Sequence, residues 1–267
     1  MPTLSKSTRY SRPLISIDPW IFGIPREETM AYAKKIGFDG IEYMLTLRDL
    51  LFGPSKVLKE SEYLNMPVTS LHQPLVLLIQ TPAWLFPRML EIPKRFPDVQ
   101  LVNHHLSAFM FRKPSEKRAL LYKQMFEKAG IPVAFESNAG GSIISRQYAK
   151  STYDPFTFQT FAQQYNLPMN MDVCHIADTG YDVIKFFKDN HALIRLIHLS
   201  DFNNGQQHLP IGEGTLPIKE LLKEIKRINW DGTITFEIYN FRNHKTKKDK
   251  LEAIKKSLTF VHENLRV

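Results

Sequence analysis

The sequence predicts an α/β chain folded as a single (β/α)8 barrel. Three observations point there. Eight short apolar, β-rich runs are each followed by sequence of helical character. The length of 267 residues suits one barrel of this kind. No long linker or low-complexity stretch interrupts the alternation, so residues 1–267 are expected to form one domain, with a short polar N-terminal extension at 1–12. An open doubly wound sheet is the competing architecture. The first strand is not followed by G-x-G-x-x-G, which weakens a dinucleotide-binding version of it.

The elements follow in order. Leu14 to Ile17 reads as the first strand. Pro25 to Ile36 reads as a helix, with proline in its first turn, early glutamates suited to the helix dipole, and Gly37 as a stop. Gly40 to Leu45 is the second strand, Pro54 to Leu64 a helix, and Val68 to His72 the third strand. Thr81 to Phe96 is helical in tendency but broken by Pro87 and Pro93. Val99 to His104 is the fourth strand. Ser115 to Ala129 has a serine cap, apolar residues at helical spacing, and Gly130 behind it. Pro132 to Glu136, Met169 to Val173, Arg195 to Leu199 and Thr233 to Ile238 complete the strands. Helices are expected over Asp154 to Tyr165, Tyr181 to Asn190, Pro217 to Ile228 and Asp249 to Leu265.

Composition narrows the class. The chain is 43% hydrophobic and 12% aromatic, enough for a sizeable core. Its one cysteine, Cys174, excludes an intrachain disulfide and fits a reducing compartment. No apolar run approaches the ~18 residues of a membrane span, and Met1 to Pro13 lacks a signal-type apolar core, so a cytoplasmic protein without membrane association is expected. The net charge of +8 favours anionic partners, phosphorylated metabolites or nucleic acid alike. Part of it, Lys245 to Lys250 and Lys255-Lys256, reads as a solvated loop and helix face.

The polar residues at the C-terminal strand ends carry the functional signal: His72, His104, Glu136, Asp172, His198 and Glu237. Their successive separations, by subtraction, are 32, 32, 36, 26 and 39 residues, each about one βα unit. In a barrel this places all six at the catalytic face. Each ends an apolar strand, where an unpaired charge is costly. Glu136, Asp172 and Glu237 together need a positive charge between them, and with His198 they suit one divalent ion: manganese, cobalt, magnesium or zinc. His175, in Asp-Val-Cys-His, lies just past its strand end, able to reach substrate or a second metal. Cys174 beside it reads as a buried thiol turned away. Glu42 could contact a substrate hydroxyl or pair with a nearby lysine or arginine. After the seventh strand, His208 leads into Gly212-Glu213-Gly214, which opens the next helix.

These pieces resemble the xylose isomerase-like barrel superfamily, which includes sugar phosphate isomerases and epimerases and the endonuclease IV type of apurinic endonuclease. The matching stretches are IGFDGIEYM, SLHQP, VNHH, FESNAGG, DVCH, IHLSD, HLPIGEG and FEIYN, from Ile36 to Asn240. No one motif is highly specific; their order and spacing together are. In the isomerase branch the resemblance implies a metal held by Glu136, Asp172, His198 and Glu237. His175 would help hold the substrate, and the two glutamates would double as catalytic proton-transfer groups. His72, His104 and His208 are read as further substrate-binding residues.

The expected reaction is isomerisation or epimerisation of a small sugar or sugar phosphate through a metal-stabilised enediolate. A dehydratase could use the same apparatus. The endonuclease IV branch instead implies up to three zinc ions, recruiting His72, His104, His175 and His208, with abasic DNA as partner. That family has an aspartate two residues before the histidine matching His208, where this chain has Gln206. The isomerase is therefore the leading expectation, with a homo-oligomer as a possible assembly.

Overall fold

The computed structural model describes residues 12–74, 85–105, 116–136 and 155–265. Eight parallel strands close into a barrel: β1 (Leu14–Ile17), β2 (Gly40–Met44), β3 (Val68–His72), β4 (Leu101–His105), β5 (Val133–Glu136), β6 (Met169–Asp172), β7 (Ile194–Leu199) and β10 (Thr233–Phe236), which returns to pair with β1. Between β7 and β10, β8 (Asp201–Asn203) and β9 (Gln206–Leu209) form a separate antiparallel pair. Among the described residues no helix is long and apolar enough to cross a membrane.

Strand alternation sorts the side chains. Val102, Phe135, Met171, Ile197 and Phe236 join the main hydrophobic core under the helices. The opposite parity supplies Leu101, Ala134 and Leu196, a small cluster of their own. The same interior parity carries polar groups: Ser16 bonds Thr235 at 2.7 Å, Ser70 bonds Glu42 at 2.6 Å, and Asn103 and Asn170 both reach Glu136. The interior thus combines a small apolar cluster with polar groups that lead to the C-terminal mouth.

Helices cover the barrel with their apolar stripes. In α9 (Ile218–Arg227), Ile218, Leu221, Leu222 and Ile225 are buried, a helical spacing. Helix α1 (Arg26–Ile36) ends at Gly37, whose φ of 104° lets its N–H return to the Ala33 carbonyl. The stretch 81–96 resolves into α4 (Phe86–Glu91) and a 3-10 turn (Pro93–Arg95), each with a proline in its first turn; residues 81–84 lie outside the described residues. Ser115 and Asp154, expected to open helices, lie outside them too.

Two short helices were not expected. Helix α2 (Leu47–Phe52) starts from a reciprocal cap: the Asp49 N–H bonds Thr46 Oγ1 at 3.1 Å, and the Thr46 N–H bonds Asp49 Oδ2 at 2.8 Å. Helix α7 (Val173–Asp178) starts where the sixth strand was expected to continue, because Asp172 Oδ1 accepts the N–H groups of Cys174 and His175. Of the polar N-terminal extension, only Arg12 is described; its guanidinium makes two 2.8 Å bonds to Asp39.

Candidate metal centre

At the mouth, donor atoms of Glu136, Asp172, His198 and Glu237 lie within 4.8 Å of one another, and all four residues are buried. His198 Nδ1 is 3.0 Å from Glu237 Oε2, 3.6 Å from Glu136 Oε2 and 3.9 Å from Asp172 Oδ2. Three of these atoms, Asp172 Oδ2, His198 Nδ1 and Glu237 Oε2, are buried without a hydrogen-bond partner. His198 and Glu237 are close but not aligned to bond. Buried polar atoms left so cost about 1–3 kcal/mol each. Three converging on one point fit a cation, and oxygen and imidazole donors suit a divalent ion.

The protonation balance agrees. Burial opposes charge on Glu136 and Glu237, yet His105 and His198 beside Glu136, and His198 and His208 beside Glu237, hold both carboxyls well below the usual range. Burial, helped by the charges of Glu237 and Glu136, pushes Asp172 up to about 6 against the pull of His175 and His208. His175 lies between Glu136 Oε1 at 3.3 Å and Asp172 Oδ2 at 3.4 Å. Burial disfavours its imidazolium, but Asp172 and Glu136 outweigh that and raise its pKa to about 10.

Two smaller donor groups flank this one, His72–His105–Glu136 and Asp172–His175–His208. Each shares a carboxylate with the central four. In the first, His72 Nε2 is 3.0 Å from His105 Nε2, which is 3.3 Å from Glu136 Oε2. The second has three donors, and Gln206 adds no carboxylate.

His104 does not face the mouth, contrary to the sequence expectation. Its neighbour His105 does. In register, His104 pairs with the outward Phe135 and His105 with the inward Glu136. A shift of one residue along a strand reverses the face. The His104 ring sits among Tyr122, Phe135, Phe126 and Phe86, with centroids 4.8 to 6.2 Å away. Both ring nitrogens are buried without a hydrogen bond, and burial lowers the pKa to about 3.

The hairpin loop aims His208. Its backbone is held at φ 57°, a left-handed conformation uncommon outside glycine. The loop fixes it there: the carbonyl accepts the N–H groups of Tyr239 and Asn240, and Nδ1 lies 3.1 Å from the Glu237 carbonyl oxygen. Asp201 organises the same loop, accepting the N–H groups of Phe202, Gly212 and Leu216. That explains Gly214, where a Cβ would lie 2.2 Å from Asp201 Oδ1 and 2.6 Å from the Phe202 carbonyl oxygen. Cys174 is a buried thiol, 3.1 Å from Ser200 Oγ, and belongs to none of the donor groups.

Residues not singled out from sequence support the centre. Asn103 and Asn170 donate to Glu136 Oε2 at 2.6 and 3.0 Å. Tyr239 Oη lies 3.2 Å from Glu237 Oε1 and 2.5 Å from Asp18 Oδ2. Burial raises Asp18 to about 6 against the pull of Tyr239. A cavity of about 330 Å³ adjoins Asp18 between the loops after β1 and β2, lined by Trp20, Phe22, Arg26 and Tyr43 among others. Among the described residues Glu42 pairs with neither lysine nor arginine; its oxygens take His198 Nε2 at 2.8 Å and Ser70 Oγ at 2.6 Å.

Comparison with known proteins agrees with this architecture. The family described as xylose isomerase-like TIM barrel matches residues 99–263. An uncharacterized protein of Methanocaldococcus jannaschii, MJ1311, is 33% identical over 103 residues; the match spans 38% of this chain and 34% of that protein, so the chain covers about a third of the curated relative. The D-psicose 3-epimerase of Clostridium cellulolyticum H10 superposes with a TM-score of 0.68 at 14% identity, over 95% of this chain and 99% of that one. An AP endonuclease, family 2, from Brucella melitensis gives 0.66 at 15% identity, over 90% and 95%. At these identities the superpositions speak for the fold. The family match extends over more than half of the sequence, and the closed parallel barrel accords with it: the chain belongs to the xylose isomerase-like TIM barrel family.

Proposed function

We propose that the protein is a divalent-metal-dependent isomerase or epimerase of a small sugar or sugar phosphate. The observation that carries this reading is the convergence of three buried atoms without a hydrogen bond, Asp172 Oδ2, His198 Nδ1 and Glu237 Oε2, beside Glu136. Those four residues would hold the ion. When bound, it supplies positive charge for the oxygens of a hydroxy-carbonyl substrate as a proton leaves carbon. Glu136 and Glu237 are the proton-transfer pair, one removing the proton and the other returning it. Asn103 and Asn170 keep Glu136 fixed from below, and Tyr239 fixes Glu237 from the side. His175, charged between Glu136 and Asp172, orients a substrate oxygen. The epimerase named above supports the reading by analogy of fold.

A second reading, hydrolysis of a phosphodiester at an abasic site, draws on the two flanking donor groups. They give the centre three adjoining sets of donors joined through Glu136 and Asp172, as a centre of up to three zinc ions requires. Against it stands Gln206, which leaves the third set one anionic donor short. The test is incubation of metal-loaded protein with a panel of sugars in heavy water and, separately, with abasic duplex DNA. Deuterium entering a carbon-bound position of a ketose, aldose or phosphorylated relative is expected, lost in Glu136→Gln. Strand cleavage abolished by the same substitution, with no exchange into any sugar, decides for the nuclease.

A further inference from the structure

We propose that Glu42 is the positioning residue that fixes the tautomer and ring orientation of His198, presenting its Nδ1 to the ion. The inference rests on the metal reading above and extends it to a residue that touches neither ion nor substrate. Glu42 and His198 are both 1% exposed, so their contact is not diluted by water. Glu42 Oε1 lies 2.8 Å from His198 Nε2, and Oε2 accepts the Ser70 hydroxyl at 2.6 Å. Both carboxylate oxygens are thereby engaged below the mouth.

The consequence follows from imidazole chemistry. A neutral ring has one N–H and one lone pair. With the proton on Nδ1, which lies 3.0 Å from Glu237 Oε2, the ring could not bind a cation there. When an incoming ion displaces the second proton of the ring, a carboxylate at Nε2 keeps the remaining proton on that side and leaves the lone pair on Nδ1, the atom without a hydrogen-bond partner. It also forbids a ring flip, which would put carbon where Nε2 meets Glu42. Carboxylate–histidine–metal relays of this kind tune the ligand, and their loss weakens metal binding about 10- to 100-fold. The nearly parallel His72 ring, with its centroid 6.0 Å away, restricts the same ring from the side.

The test uses Glu42→Ala, Glu42→Gln and Ser70→Ala, with His198→Ala as reference. Zinc affinity is measured by competition with a chromophoric chelator, and the His198 ring nitrogens by nitrogen-15 NMR. In wild type, Nε2 is expected to carry a proton in the free and zinc-loaded protein, and Nδ1 to lose any proton when zinc binds. Glu42→Ala should bind zinc about 10- to 100-fold more weakly. Glu42→Gln, which keeps an acceptor but loses the charge, should fall between. If Glu42→Ala does not fold by circular dichroism, Glu42→Gln and Ser70→Ala carry the comparison. Wild-type affinity in every folded Glu42 variant, with His198→Ala impaired, overturns the proposal. So does an Nε2 without a proton in the wild-type protein. Absence of zinc binding in wild type overturns the metal reading instead, and the NMR result on the free protein still decides for or against the Glu42 contact.

Discussion

Replacing His104 by leucine separates the histidine that faces the aromatic layer from the one that faces the centre. The substitution removes two buried nitrogens without hydrogen bonds and forfeits edge contacts to Tyr122 and Phe135. Each nitrogen costs about 1–3 kcal/mol and each edge contact is worth about 0.5–1.5 kcal/mol, so the relief at least offsets the lost contacts near pH 7.5. Acid breaks the balance. In the folded protein the His104 pKa is lowered to about 3, against 6.5 for the free side chain. The unfolded chain therefore takes up the proton first, and stability is lost as pH falls through the unfolded value. The gap between 6.5 and pH 5, at about 1.36 kcal/mol per pH unit, makes the loss about 2 kcal/mol. Wild type should lose about 2 kcal/mol more than His104→Leu between pH 7.5 and pH 5. The assay is urea denaturation at both pH values with chelator present, followed by zinc titration of the folded variant. An equal acid loss in both proteins refutes the reasoning. A variant that no longer binds metal refutes the assignment of His104 to the outer layer.

Other outcomes follow from the same geometry. His198→Ala should lose both metal and activity while keeping the barrel's circular dichroism, because the ligands stand at the mouth rather than in the helix-facing core. Saturating zinc or manganese at about a hundred times its dissociation constant should raise wild-type stability by about 2.7 kcal/mol, a gain absent from His198→Ala and readable as a melting shift. Gly214→Ala should destabilise by more than about 2 kcal/mol in chemical denaturation, since the new Cβ meets Asp201 Oδ1 and a backbone carbonyl at once. Tyr239→Phe should lower kcat more than it raises KM, because it frees Glu237 Oε1 without removing a metal donor.

Much of the barrel was legible because its strands are apolar runs ended by polar residues and its helices carry glycine stops and amphipathic stripes. The four residues expected to hold a metal follow the same reasoning on the interior parity: Glu136 and Asp172 close their strands, His198 stands one residue before the end of β7, and Glu237 one residue past β10. His104 failed for a physical reason internal to that rule. Two adjacent histidines end β4, and spacing of about 32 residues cannot resolve which faces inward; parity with Asn103 and Glu136 can. Helix α2 was missed although Thr46-x-x-Asp49 is a capping signature, since six residues carry little periodicity. Glu42, weighed between a substrate hydroxyl and a lysine or arginine, stands in the middle of β2 rather than at its end and meets His198. Its bond to His198 joins residues 156 positions apart, which only the closed barrel brings together.

The most direct measurement is the metal content of protein purified without added metal, by elemental analysis of wild type and of Glu237→Gln. The account predicts about one divalent ion per chain in wild type, sharply reduced in the variant. No bound ion in wild type, or unchanged occupancy in Glu237→Gln, would contradict the centre; about three zinc ions per chain would contradict the isomerase.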